Sequence, residues 1–120
     1  MDDKRRKQLV ANEIARLNDI FKEVDSKKKR SVKGLIEEAA FMKSTLLELK
    51  EIIQSAGVID EMPQGEYSIL REHPALKSYN TTIQRYTTVT EKLLALLPKE
   101  TPKSDNDLSE FSDFLSERYD

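Results

Sequence analysis

The chain reads as a mainly all-α protein. An antiparallel helical hairpin is followed by a third long helix, a small β-hairpin lies between helices two and three, and a short C-terminal helix sits on a flexible linker. Three observations predict this. Apolar residues recur at alternating steps of three and four in three separate stretches, the stripe of a helix with one buried face. Gly57, Pro63, Gly65, Pro74 and Pro98 fall between those stretches rather than inside them. A composition of 38% hydrophobic and 35% charged residues over 120 residues belongs to one globular, helix-rich domain rather than to a disordered chain.

The first helix is expected from about Asp3 to Val24, capped by Asp2 or Asp3. Its seam is Val10, Ile14, Leu17, Phe21 and Val24, widened by Leu9 and Ile20. The link from Asp25 to Ser31 is short, and short links join antiparallel neighbours. A single continuous helix through Lys27, Lys28, Lys29 and Arg30 is the competing reading, since all four are good helix formers.

Val32 to Gly57 is the expected central helix, with Ser31 as its N-cap and Gly57 closing its last turn. One stripe holds Val32, Leu35, Ala39, Met42, Leu46, Leu49, Ile53 and Ala56, while Ile36, Ala40, Leu47 and Phe41 form a second edge. Two apolar edges place a helix between two neighbours. Its length of very roughly 35 Å, at 1.5 Å per residue, exceeds what a compact domain of this size needs and suggests an extended, assembled protein.

Val58 to Glu61 and Glu66 to Leu70 flank Pro63-Gln64-Gly65, the pattern of a β-hairpin. A lone two-stranded hairpin is marginal in water, so it is expected to rest on something. Pro74 suits the first position of the third helix, which needs no backbone N–H. Leu76, Tyr79, Ile83, Tyr86, Thr90, Leu93 and Leu97 form its seam, and Pro98 ends it. Thr81, Thr82, Thr87 and Thr88 are weak helix formers, so packing must hold this helix.

Residues 1–98 are thus expected to form one helical domain with seams for oligomerisation, the candidate DNA-binding part once charge is considered below, and residues 99–120 an acidic linker with a short helix. In that tail Leu108, Phe111, Phe114 and Leu115 make an apolar face with the spacing of helix-in-groove anchors, which assigns it to partner binding. Ser104 and Asp107 are placed to start the helix as a capping box.

Function classes are narrowed by what the residues can do. The single histidine, His73, precedes a proline and reads as a helix-start residue rather than a base; without cysteine no nucleophile and base pair is assembled. The three glycines form no phosphate-cradling loop. No Glu-x-x-His pair makes a metal site, so Glu37, Glu38, Glu48 and Glu51 read as a solvated face. No enzyme, cofactor or metal site is expected. With no long apolar run and no leader pattern, a cytoplasmic protein without membrane association is the expectation.

Charge is more informative. The net charge is −2, yet from Met1 to Gly34 eleven Lys or Arg stand against six Asp or Glu, and from Glu100 to Asp120 two against seven. A basic head and an acidic tail suggest two different partners. Lys4-Arg5-Arg6-Lys7 is one cationic cluster; Lys27-Lys28-Lys29-Arg30 with Lys33 is the other. Clustered cations bind backbone phosphates by displacing condensed counterions and need no special side-chain geometry. Without a helix-turn-helix, binding to duplex DNA is expected to be non-specific.

From Leu46 through Pro98 the chain resembles the P27-type small terminase subunits of tailed bacteriophages. The resemblance rests on a long helix ending at Ala56-Gly57, the pair Val58-Ile59, a turn with Gly65, the helix start His73-Pro74-Ala75-Leu76, and the ending Leu93-Leu94-Ala95-Leu96-Leu97-Pro98. His73 stands where the family more often has Asn, and Leu97-Pro98 replaces a Gly-Leu-x-Pro ending. The resemblance implies a non-enzymatic component of viral genome packaging that forms a homo-oligomeric ring, recognises the genome's packaging start in the infected host cell, and recruits or regulates the large ATPase/nuclease subunit. It supplies no invariant residue, so the DNA contacts are assigned by charge. The other class consistent with the residues is a self-associating helical adaptor that binds only proteins.

Overall fold

The computed structural model describes residues 1–98. Within them the order is α1 (Asp3–Ile20), α2 (Ser26–Ala56), β1 (Ile59–Gln64), β2 (Tyr67–Glu72) and α3 (Pro74–Ala95). The expected fold class is what is found: three helices, with a small antiparallel hairpin between the second and third. The tail helix, with Leu108, Phe111, Phe114 and Leu115, lies outside the described residues.

α2 is the central element, packing against both α1 and α3. Its two edges explain why: Val32, Ile36, Ala39, Ala40 and Leu46 are all buried, some on each side. Phe41, assigned to the second edge, is instead exposed. One core unites Leu17, Ile20, Phe21 and Val24 with Val32, Ile36, Tyr86 and Leu93. Each such fully buried side chain contributes about 1.5–3 kcal/mol relative to exposure. Glu13, on α1, is buried within reach of Arg16 and Lys43, at 3.6 and 4.0 Å.

The boundary between α1 and α2 differs from expectation. α1 ends at Ile20, not Val24, and a tight turn with Val24 N–H donating to the Phe21 carbonyl at 3.3 Å folds both of those side chains into the core. A helix continued to Val24 would have to forgo that turn. Asp25, rather than Ser31, is the N-cap of α2, and its carboxylate accepts from Lys27 N–H at 2.9 Å. The four cations therefore stand in the first turns of α2 instead of in a link. The continuous helix is excluded by the turn, although Lys27 to Arg30 are helical as that reading required.

Gly57 follows α2 with φ 83° and ψ 172°, an extended positive-φ conformation in which a side chain is strained; its N–H donates to the Ile53 carbonyl at 2.7 Å. α3 begins as its sequence suggests, with Pro74 in the first turn and His73 as N-cap, Nδ1 accepting from Ala75 N–H at 3.0 Å. Threonine is accommodated by bonding back into its own helix. Thr87 and Thr88 hydroxyls donate to the Ile83 and Gln84 carbonyls, and the fully buried Thr90 to that of Thr87.

The strands are longer than expected and take in Pro63, leaving a two-residue turn of Gly65 and Glu66 with Gly65 at φ 66°. Contrary to expectation, the hairpin rests on no helix to any substantial extent. The result is a rod with principal extents of 64 × 26 × 22 Å.

Candidate nucleic-acid interface

Two cationic clusters that look alike in the sequence are placed at opposite ends of α2 and in opposite electrostatic circumstances. Because α1 folds back along α2, its N-terminal turns lie against the C-terminal half of the longer helix. There Arg5 Nη2 meets Glu51 Oε1 at 2.7 Å. Arg6 grips Glu48 with a fork, Nη2 to Oε1 at 2.8 Å and Nε to Oε2 at 3.1 Å. Asp3 takes up Lys7 at 3.1 Å. Of this cluster only Lys4 makes no ion pair among the described residues.

The hydrogen bonds and charge of Arg6 hold the Glu48 carboxyl below its usual range, and Glu48 in turn raises the guanidinium. Such groups are committed to the fold. A phosphate approaching Arg5 or Arg6 has to displace a carboxylate already within hydrogen-bond distance.

Lys27, Lys28, Lys29, Arg30 and Lys33 are all exposed, and among the described residues none of them makes an ion pair. Two physical causes keep them free. They occupy the first turns of the rod's longest helix, beyond the point where α1 turns away, so few neighbouring carboxylates reach them. At 100° per residue, four consecutive cations also fan around the axis rather than sharing one stripe, so a single facing helix could not neutralise them. Lys29 and Lys33, at i and i+4, share a face with Arg30 alongside.

The helix N-terminus adds its positive end to the same region. Its nearest anion is Asp25, whose carboxylate is occupied in capping. This tip is suited to polyanion backbones; nothing in it is placed to read base edges.

Sequence reasoning missed Glu48 and Glu51, read as a solvated face, as the partners of Arg6 and Arg5. The signal was available: an αα-hairpin pivoting about residues 27–28 brings those pairs level. The proposed partner-binding residues Leu108, Phe111, Phe114 and Leu115 lie outside the described residues. Among the described residues no group of His, Asp or Glu is arranged to hold a metal ion, and no helix is long and apolar enough to cross a membrane. No family model, curated protein or solved structure matches the chain.

Proposed function

We propose that this chain is a small terminase subunit of a tailed bacteriophage, a non-enzymatic ring component that binds the viral genome to initiate packaging. In this reading DNA is held at the α2 tip, by Lys27, Lys28, Lys29, Arg30 and Lys33. Arg5 and Arg6 of the other cluster serve chiefly to fasten α1 to α2. The tail beyond Pro98 carries Leu108, Phe111, Phe114 and Leu115 to the large ATPase/nuclease subunit in the host cytoplasm.

The observation that carries the DNA assignment is that five neighbouring cations make no ion pair among the described residues, whereas the charges of the cluster at the opposite end of α2 are mostly paired. The ring rests on the resemblance from Leu46 to Pro98 and on the elongated shape, which leaves apolar surface for neighbouring subunits. The test is binding of long duplex DNA as a function of salt, paired with native mass spectrometry. Steeply salt-dependent binding by an assembly of more than four subunits is expected; a monomer, or affinity indifferent to salt, overturns the reading.

The exposed apolar hairpin favours a second reading, a helical adaptor that binds only protein. It predicts self-association without duplex DNA binding.

A further inference from the structure

The β-hairpin carries an unusual concentration of exposed apolar surface. Of the eight large hydrophobic side chains exposed among the described residues, Val58, Ile59, Tyr67, Ile69 and Leu70 belong to the hairpin and its root, and Ile52 lies just before it. Leu70 is the most exposed of all, at 76%. Both faces contribute, because cross-strand partners share a face: Glu61 pairs with Leu70 on one, Met62 with Ile69 on the other. A sheet of two strands that rests on no helix to any substantial extent is below the size that is stable by itself.

The ladder identifies which edge is open. His73 N–H donates to the Val58 carbonyl at 2.8 Å, which makes 58 and 73 a hydrogen-bonded pair. Alternation along an antiparallel ladder then makes 60/71, 62/69 and 64/67 bonded pairs as well. The backbone N–H and C=O groups of Ser68, Leu70 and Glu72 consequently point away from β1. The matching outward positions of β1 are Ile59, Glu61 and Pro63, and Pro63 has no N–H to offer. One edge of the hairpin is an uninterrupted template for another strand and the other is not.

We propose that β2 pairs antiparallel with β2 of a second copy of this chain, across a two-fold axis through Leu70, to close a four-stranded sheet. The register follows from using all three outward residues: Leu70 faces its own equivalent, and Ser68 faces Glu72 of the second copy. On the other face Ile69 lies opposite Arg71 of the second copy. No like charges face each other, and the fork of Arg71 on Asp60, at 2.9 Å for both nitrogens, is left in place. The interrupted outer edges of β1 then limit continued growth, which is the usual way edge strands are prevented from forming fibres. The contact is isologous, pairing copies two by two, and stands whether or not the chain also closes a ring.

The chain has no cysteine, so one introduced thiol reports on one position. Leu70→Cys places two thiols on the axis with a Cα separation of about 5.5 Å, inside the range a disulfide spans. Phe41→Cys, exposed on α2, is the control. With oxidised glutathione as oxidant, the full-length Leu70→Cys chain is expected to become disulfide-linked dimer at least about tenfold faster than the control. Ser68→Pro, which removes an outward donor while sparing the bonds to β1, and Leu70→Lys, which leaves the ladder intact, are both expected to halve the particle mass in light scattering with helix content unchanged. Equal cross-linking rates for the two thiols overturn the proposal. So does a mass that Leu70→Lys leaves unaltered, which also covers the case in which Ser68→Pro disrupts the hairpin itself.

Discussion

The two cationic clusters hold nearly the same residues, yet one is part of the fold and the other stands outside it. Arg5 and Arg6 are held by Glu51 and Glu48. Lys27 to Arg30 are exposed at a helix end, and none of them makes an ion pair among the described residues. The difference teaches that cation count is a poor guide to polyanion binding. What matters is whether the surrounding structure has already supplied counter-charges, and that depends on which helix lies alongside.

The largest effect expected on this contrast comes from the apolar anchor of the tip. Phe21→Ala empties a buried site at the α1–α2 turn and should lower stability by about 3–5 kcal/mol. Denaturant unfolding measures it, and a loss under 1 kcal/mol would mean that the tip is not built on this turn. Next in size, Lys27, Lys28, Lys29 and Arg30 changed together to Gln should weaken duplex DNA binding at least about tenfold at low salt. The slope of log affinity against log salt should fall by about 3. Fluorescence anisotropy across a salt series reads both.

Arg5→Ala with Arg6→Ala is expected to do the reverse, leaving DNA affinity nearly unchanged while lowering Tm slightly, because exposed ion pairs contribute little. A large loss of affinity here would erase the distinction between the clusters.

The smallest effect is a pH dependence. The folded-state pKa of Glu48 is depressed, so its pair with Arg6 stabilises the fold above the ordinary carboxylate value of 4.5 and ceases to do so as pH falls through the depressed value. The Tm difference between the unaltered chain and Glu48→Gln should therefore be present at pH 7, shrink below pH 4.5 and vanish in stronger acid. A difference that grows on acidification contradicts the assignment.

Much of the fold was legible because it is carried by periodicity and punctuation. The stripes of α2 and α3, the proline at the start of α3 and the place of His73 at that helix entry are local features, and each is found where it was expected. The end of α1 was not, because the seam through Phe21 and Val24 keeps helical spacing even where the chain turns; burial of both side chains is satisfied by either conformation. Pro63 was read as turn, since its lack of an N–H is harmless only at an outward ladder position and register is invisible in a single strand.

The site was half legible. Both clusters could be found by charge, but only the folding back of α1 onto Glu48 and Glu51 separates them.

By its 31 residues α2 holds the cationic tip and the β-hairpin about 46 Å apart, at 1.5 Å per residue. That is several Debye lengths at physiological ionic strength, where the screening distance is about 8 Å. A charge added or removed at one end is therefore nearly imperceptible at the other. Energetic effects of substitutions at the two ends should sum to within about 0.5 kcal/mol, as for distant sites that share no partner. The long helix works as an insulating spacer, so that whatever each end engages can be strengthened, weakened or exchanged without retuning the opposite one.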